Sequence, residues 1–199
     1  MNLSALEKYL PKDALPFINS WIDKNPIQIK ILPSRKTKLG DYRFLKDLNR
    51  HQITIDAYLK PEAFFFVLTH EIAHLLVYNK FKNKVSPHGD EWKLQFGVLL
   101  MESIMIYPKE LQAFIYKHAL NPKASVTADK NLHQLLFLEE KHWDYLVENL
   151  NEGQHFILGN KIFEKGRKRK TRYLCKDIRT QKMYLVRGQA VVEKIIEYE

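Results

Sequence analysis

Thr69-His70-Glu71-Ile72-Ala73-His74 is the stretch that decides the fold, because it places a His-Glu-x-x-His pattern inside a strongly apolar segment. Two histidines four residues apart lie on the same face of a helix, one turn from each other. Their ring nitrogens can then bind one Zn²⁺, and the glutamate between them can take a proton from water beside the metal. The pattern therefore predicts a zinc hydrolase with His70 and His74 as ligands and Glu71 as general base.

The sequence around this pattern favours a metal site over histidines that only form hydrogen bonds in the core. Pro61 and Glu62 are typical of a helix start, and the run from Ala63 to Leu68 is entirely apolar. We therefore expect a helix that is buried nearly all round and central in its domain. Two histidines and a glutamate buried there without partners would cost several kcal/mol, and a bound metal ion would remove that cost.

A catalytic zinc site needs a third protein ligand and keeps its fourth position for water. His88 is favoured, because it lies beside Gly89 at the entrance to a second segment with helical apolar spacing and can reach back to the first helix. Glu91 and Glu102 compete with it, since some zinc peptidases take a glutamate from the following helix. The full set of downstream candidates is His88, Glu91, Glu102, His118, His133, His142 and His155.

Most of residues 1–110 resembles the SprT-like zinc metallopeptidases, a family that includes the Spartan proteases. The order and spacing of four stretches match, including a His-Gly pair that follows the helix motif. The resemblance implies that His70, His74 and His88 bind one zinc ion and that Glu71 is the general base. The four stretches are Arg35-Lys36-Thr37-Lys38-Leu39-Gly40-Asp41-Tyr42, Ile53-Thr54-Ile55-Asp56 with Leu59, His70-Glu71-Ile72-Ala73-His74 and Pro87-His88-Gly89-Asp90-Glu91-Trp92.

The predicted fold class is α+β, with a minimal zincin-like domain over residues 1–120. A small antiparallel sheet precedes the zinc helix. The helix is predicted to end at a polar connector from Asn79 to Val85. An edge strand within residues 40–56 would hold an extended peptide by backbone pairing, and Tyr42 and Tyr58 are candidates to stabilise the oxyanion. The other predicted elements are helices over Leu3–Tyr9, Ala14–Asp23, Trp92–Ile106 and Pro108–Ala119 and strands over Ile27–Leu32, Tyr42–Leu45 and Gln52–Ile55.

The positive charge is concentrated at the C-terminal end. Residues 153–199 hold 12 Lys and Arg against 5 Asp and Glu, so +7 of the total net charge of +9 lies there. The densest basic run lies between two strand-like segments, His155 to Phe163 and Arg172 to Lys176, and is predicted to be a hairpin loop. We expect phosphate contacts with nucleic acid, with Tyr173 and Tyr184 near bases or sugars, against the alternative of a solvated basic turn. The predicted contact residues are Lys165, Arg167, Lys168, Arg169, Lys170 and Arg172.

The C-terminal segment departs from the family, because many SprT-like proteins end in a zinc ribbon with two Cys-x-x-Cys pairs. Here Cys175 is the single cysteine, and Ile178 stands where a partner cysteine is expected. One thiolate cannot hold a structural zinc ion. We therefore predict a degenerate zinc ribbon, a β-rich subdomain over residues 153–199 without metal, after a linker and helix over 121–152, with Cys175 as a buried hydrophobe. Its predicted core is Ile157, Phe163, Leu174, Met183, Leu185 and Val192.

The functional prediction is a zinc metallopeptidase that acts on a protein substrate, which the resemblance implies to be bound or crosslinked to DNA. One rival is a nucleic-acid-binding protein whose zinc site is structural and catalytically silent, and another is a peptidase indifferent to DNA. We expect a monomer in the cytoplasm, with association with the nucleoid as an option. A signal peptide and a membrane partner are not expected, since the start of the chain and its longest apolar run do not fit them.

Overall fold

The computed structural model describes residues 3–23, 25–33, 38–125, 128–138 and 144–196. Contacts between backbone positions divide the chain into two units, Met1–Leu132 and His133–Glu199. The division falls inside the segment 121–152 that the sequence predicts to be a linker and helix. No helix within the described ranges is long and apolar enough to cross a membrane.

The first unit is a mixture of helices and a small sheet, and the second is built mainly on a sheet, so the α+β fold class is confirmed. A 3₁₀ helix at Leu3–Tyr9 precedes the regular elements of the first unit, and 3₁₀ turns at Lys46–Leu48 and Ile104–Ile106 connect some of them. Those elements are the helices α1 (Leu15–Ile22), α2 (Pro61–Phe81), α3 (Asp90–Glu102) and α4 (Lys109–Leu120) and the strands β1 (Ile27–Leu32), β2 (Gly40–Leu45) and β3 (Arg50–Asp56).

The C-terminal ends of α2 and α3 are the helix ends that differ most from the prediction. Helix α2 continues to Phe81 and ends at Lys82, whose φ of 55° is left-handed, so the predicted connector is shorter than Asn79 to Val85. Helix α3 ends at Glu102, and the last predicted residues form a 3₁₀ turn. Apolar spacing alone does not distinguish a 3₁₀ turn from a last helical turn.

The sheet of the first unit is mixed, whereas the sequence predicts an antiparallel one. Its order is β1-β3-β2, with β1 parallel to β3 and β2 antiparallel to β3. Strands β2 and β3 form a hairpin through Lys46–Asn49, where Asn49 adopts a left-handed φ of 43°. Strand β3 therefore lies between the other two, and β2 is an edge of this sheet.

Helix α2 is the centre of the first unit. It contacts β2, β3, α3 and α1, and for that reason apolar side chains cover nearly its whole circumference. Phe66 packs against Phe96 of α3 with ring centroids 5.4 Å apart, and Phe65 stacks on Trp21 of α1 at 6.1 Å. This packing fixes the rotation of α2 and, with it, the face on which His70 and His74 lie.

The second unit contains one antiparallel sheet. Helix α5 (Lys130–Phe137) crosses the division between the units, and a 3₁₀ turn at Val147–Asn149 precedes the strands. The helix that the sequence predicts within residues 121–152 does not extend to the sheet, because Leu146 has an extended conformation and bridges to Val191. The sheet has the order β7-β6-β5-β4-β8. Its strands are β4 (His155–Leu158), β5 (Lys161–Arg169), β6 (Arg172–Asp177), β7 (Met183–Arg187) and β8 (Lys194–Ile196).

The core of the second unit confirms part of the predicted set. Phe163, Val192 and Cys175 are buried, whereas Ile157 and Leu174 are half-buried. The prediction that Met183 and Leu185 belong to the core is wrong, since their side chains are 52% and 51% exposed. Tyr184 and Val186 pair with Cys175 and Tyr173, so they share the inward face and turn Met183 and Leu185 outward. The buried residues of this core are Val147, Leu150, Phe156, Phe163, Cys175, Val186 and Val192.

Candidate metal centre

Three histidine side chains converge on one point of the first unit. His70 and His74 lie one turn apart on α2, and His88 comes from the loop that leads into α3. The Nε2 atom of His74 is 3.3 Å from that of His70 and 3.1 Å from that of His88, and the remaining pair is 3.4 Å apart. These histidines form a group that could hold a metal ion.

The spacing of these nitrogens fits a tetrahedral metal site. Zinc–nitrogen bonds of about 2.0–2.1 Å at tetrahedral angles place neighbouring ligand nitrogens about 3.3 Å apart. Hydrogen bonds alone do not explain the cluster, because each Nε2 carries either a proton or a lone pair. With three such atoms in mutual contact, at least one pair must present two protons or two lone pairs to each other. A cation between them removes that conflict.

The pKa values of these three imidazoles are lowered, which favours the neutral form that binds a metal ion. Burial and, to a smaller extent, the neighbouring His88 lower the pKa of His74 to about 4, with Asp41 acting in the opposite direction. Burial also lowers the pKa of His88 and brings that of His70 well below its usual range. The rings are therefore neutral at neutral pH, and a ligand must be in that form to donate its lone pair.

Trp92 forms one wall of the site. It is fully buried at the first turn of α3, and its ring lies 4.6 Å from His70, 5.3 Å from His74 and 4.7 Å from His88, measured between centroids. Contact with all three rings fixes their orientation. In the sequence, Trp92 is marked only as part of a motif, although its position four residues after His88, at a helix start, indicates that the two side chains lie close together.

Glu71 lies between the two α2 histidines in sequence and is turned against β2. It is 7% exposed, and the backbone N–H of Tyr42 donates a hydrogen bond to its carboxylate. Gly40 allows this approach, since a Cβ there would lie 2.6 Å from Val67 Cγ1 and 2.8 Å from Glu71 Oε1. The first residues of β2 therefore hold the carboxylate in place.

The pKa of Glu71 is raised to about 8, first by burial and then by the nearby carboxylate of Asp41. The Lys38 ammonium and the Tyr42 hydrogen bond act in the opposite direction. Asp41 itself is held by Lys38 Nζ and Arg43 Nε, each 2.6 Å from one of its oxygens. A carboxyl whose pKa lies near neutrality is suited to taking up and giving back a proton.

Tyr42 is the predicted oxyanion candidate that contacts the cluster. Its ring stacks on His74 with centroids 6.2 Å apart, and its hydroxyl is 2.9 Å from Nδ1 of His51. His51 is 3% exposed and lies behind Tyr42. It belongs to no recognisable motif, so the sequence alone assigns it no role. Tyr58 is 78% exposed, and no contact within the described ranges joins it to the histidines.

The two glutamates that competed for the third ligand position are outside this group. Glu102 accepts a hydrogen bond from Trp21 Nε1 at 2.8 Å, and Glu91 lies in the first turn of α3. Among the described residues, His70, His74 and His88 are the ones that meet as possible ligands.

The other candidate histidines have different surroundings. Buried His118 lies 3.3 Å from a carboxylate oxygen of Asp129. His133 stacks on Phe137 at 5.6 Å, and His155 belongs to β4. His142 lies outside the described residues.

Replacing Gly40 by alanine is expected to disturb Glu71. The new methyl group would overlap Val67 and the carboxylate, so we expect a loss of about 1–3 kcal/mol in the free energy of unfolding and lower peptidase activity. Denaturant unfolding and activity assays measure both. The double variant Gly40→Ala/Val67→Ala should recover part of the stability, since it removes the closest contact. A Gly40→Ala variant as stable and active as the parent would show that β2 does not constrain Glu71.

The predicted basic loop lies in the strands of the second unit. Arg167, Lys168 and Arg169 belong to β5, Arg172 begins β6, and Lys170 lies in the tight turn between them with a left-handed φ of 54°. All five side chains are exposed. They therefore remain candidates for contact with a polyanion, although they point to different faces of the hairpin.

Lys165 does not fit the predicted role. It is 5% exposed, and its ammonium donates to the carbonyl oxygens of Glu148, at 3.2 Å, and of Leu150. The same ammonium lies 4.3 Å from the centroid of the half-buried Tyr173 ring, and burial lowers its pKa. Tyr184 likewise faces the core and contacts Lys161 at 2.6 Å. Neither Lys165 nor the two tyrosines presents a free surface to nucleic acid.

Comparison with known protein families identifies the family of the first unit. A model of the SprT-like family matches residues 16–108. No curated protein and no solved structure matches the chain. The matched segment runs from α1 through α3 and contains all of β1, β2 and β3 together with the three histidines and Glu71. The chain therefore contains a SprT-like family domain over residues 16–108.

Proposed function

We propose that this protein is a zinc-dependent metallopeptidase. The observation that carries the proposal is the triangle of Nε2 atoms of His70, His74 and His88, whose spacing fits tetrahedral zinc. The SprT-like family domain implies the same chemistry. Glu71, a buried carboxylate that directly follows the ligand candidate His70 on α2, distinguishes this proposal from a structural zinc site, which does not need one.

The residues of the site divide the chemistry between them. Zinc, when bound by the three histidines, supplies a Lewis acid and lowers the pKa of water at the site. Glu71 acts as the base, taking the proton on a carboxylate oxygen and later delivering it to the leaving amine. The Tyr42 backbone N–H and the close approach of Gly40 fix the position of that carboxylate. Trp92 keeps the three imidazoles oriented.

Strand β2 is the proposed docking edge for the substrate. It is an edge of the three-stranded sheet, and its first residues touch Glu71 and His74. An extended peptide that pairs with the unpaired side of β2 would run past the carboxylate. This proposal narrows the predicted range of residues 40–56 to Gly40–Leu45.

We further propose that the substrates are proteins associated with DNA. The support is the net charge of +7 in residues 153–199, together with the DNA-bound substrates that the resemblance to the SprT-like family implies. The second candidate function is nucleic-acid binding with a catalytically silent metal site. The presence of Glu71 between His70 and His74 on α2 favours the peptidase, because a silent metal site has no need of a carboxylate there.

Cleavage of a DNA-bound protein is expected to depend on DNA and on salt. With five exposed cations available, the rate at limiting enzyme should fall by about 10²- to 10³-fold between 50 and 200 mM salt. The measurement compares one substrate protein on DNA and free in solution. Equal cleavage of both, with no effect of salt, would leave a peptidase that is indifferent to DNA.

A further inference from the structure

Three arginines form a row across the sheet of the second unit. Arg169 of β5 is the partner of Arg172 of β6, which is in turn the partner of Arg187 of β7. Neighbouring strands are about 4.8 Å apart, so this arginine row spans about 10 Å. Like charges directly opposite each other on neighbouring strands destabilise a sheet. Two such pairs in succession need a reason other than folding.

The charges of the arginine row are available to a partner. All three side chains are exposed, and within the part of the chain that the structure describes none of them forms an ion pair. Further along the same face, Glu164 stands opposite Lys176 and balances it. The uncompensated positive charge is therefore concentrated at the end of the sheet that carries the row.

The surface beside the row is apolar and slightly concave. Leu174 and Leu185 form the next cross-strand pair on this face, and Leu185 is 51% exposed. A shallow concavity of about 540 Å³ lies there, and it is lined by Arg169, Lys170, Thr171, Arg172 and Leu185. The opposite face of the same strands carries Cys175 and Val186 and packs into the core. The arginine row thus lies on the outer face.

We infer that the arginine row binds the phosphates of duplex nucleic acid without reading its sequence. Guanidinium groups form paired hydrogen bonds with phosphate oxygens, and a duplex presents phosphates more densely than a single strand. The aromatic residues of β5, β6 and β7, which are Phe163, Tyr173 and Tyr184, lie on the inward face. The described residues on the outer face of these three strands therefore include no Phe, Tyr or Trp, and the face lacks the stacking platform that single-strand binders use. This inference deepens the proposed association with DNA and rests on it. It adds Arg187, and it removes Lys165 from the predicted contacts.

The test is the affinity of the full chain for a labelled duplex of mixed sequence, measured by fluorescence anisotropy over a range of salt concentrations. We expect the double variant Arg172→Gln/Arg187→Gln to weaken binding about 60-fold at 0.1 M salt and to lower the salt slope by about 2. The matched control is Arg179→Gln/Lys182→Gln, which removes the same charge from the opposite end of β6 and β7. The control should lose far less affinity.

Thermal unfolding separates lost contacts from lost structure. Removing like charges from the row should leave the unfolding midpoint unchanged or raise it by about 1–3 °C. Equal weakening by the row variant and the control would overturn the assignment of the row. Tighter binding of a polyglutamate peptide or of a single strand than of the duplex would overturn the inference that the partner is duplex nucleic acid. A parent protein that binds no nucleic acid would remove the DNA association as well, and cleavage of free protein would still test the peptidase by itself.

Discussion

Glu71→Gln is expected to lower peptidase activity by about 10²- to 10⁴-fold and to leave metal binding intact. Glutamine has nearly the same shape as glutamate, and its side-chain carbonyl can still accept the hydrogen bond from the backbone N–H of Tyr42. It cannot take up a proton at neutral pH. The ligand set of three histidines does not include this residue. The loss should therefore appear in kcat, with unchanged metal content.

The matched control is Glu110→Gln, which makes the same chemical change at an exposed position in the first turn of α4. It should keep the activity of the parent. Equal cleavage by Glu71→Gln and the parent would rule out Glu71 as the base. If neither the parent nor the variant cleaves any protein, free or bound to DNA, the nucleic-acid-binding function with a silent metal site stands.

The metal-free forms of the same two proteins provide a pH check. The pKa of Glu71 is raised from 4.5 to about 8, so between these values the folded state holds a proton that the unfolded state releases. Stability from this group is therefore lost as the pH rises through that interval. The Glu71→Gln variant does not lose stability in this way, because glutamine does not titrate. Above pH 8, metal-free Glu71→Gln should exceed the metal-free parent by about 2–4 kcal/mol in the free energy of unfolding, and the difference should vanish near pH 4.

His88→Ala is expected to abolish stoichiometric metal binding. His88 is the one candidate ligand that does not come from α2, and its Nε2 atom closes the triangle at 3.1 Å from that of His74. Loss of an outer partner of a metal ligand typically weakens affinity 10- to 100-fold, so loss of a ligand itself should exceed about 100-fold. Metal analysis after dialysis and thermal unfolding with added zinc measure the effect.

Zinc at a thousand times the dissociation constant of the parent should stabilise the parent by about 4 kcal/mol and His88→Ala by at most about 1.4 kcal/mol. The control is His155→Ala, since His155 lies in β4 and outside the metal group. A His88→Ala protein that holds one metal ion with the affinity of the parent would contradict the role of His88. Glu91 would then be the first alternative to test.

Local sequence predicts the parts of the site that lie on one helix. The spacing of His70, Glu71 and His74 is sufficient, because a helix fixes their mutual positions. Strand β1 is also predicted to the residue, at Ile27–Leu32, since its apolar residues alternate clearly. The surroundings of Glu71 are not predictable in this way. Gly40 and Tyr42 reach the carboxylate from β2 only once the sheet has formed, and no local pattern marks that contact.

The errors in the second unit have the same origin. Met183-Tyr184-Leu185-Val186 is apolar at every position, so its alternation has no readable phase, and the inward face depends on pairing with β6. A lysine is normally expected on the surface. Lys165, however, lies two residues after the buried Phe163 on β5, so it points to the same inward face. Both side chains are placed by partners that are distant in the sequence.

Anomalous scattering at the zinc absorption edge, from a crystal of the zinc-loaded protein, tests the central claim most directly. The account predicts one strong peak about 2.0–2.1 Å from the Nε2 atoms of His70, His74 and His88. A peak coordinated by other side chains, or the absence of any peak at the three histidines, would contradict it.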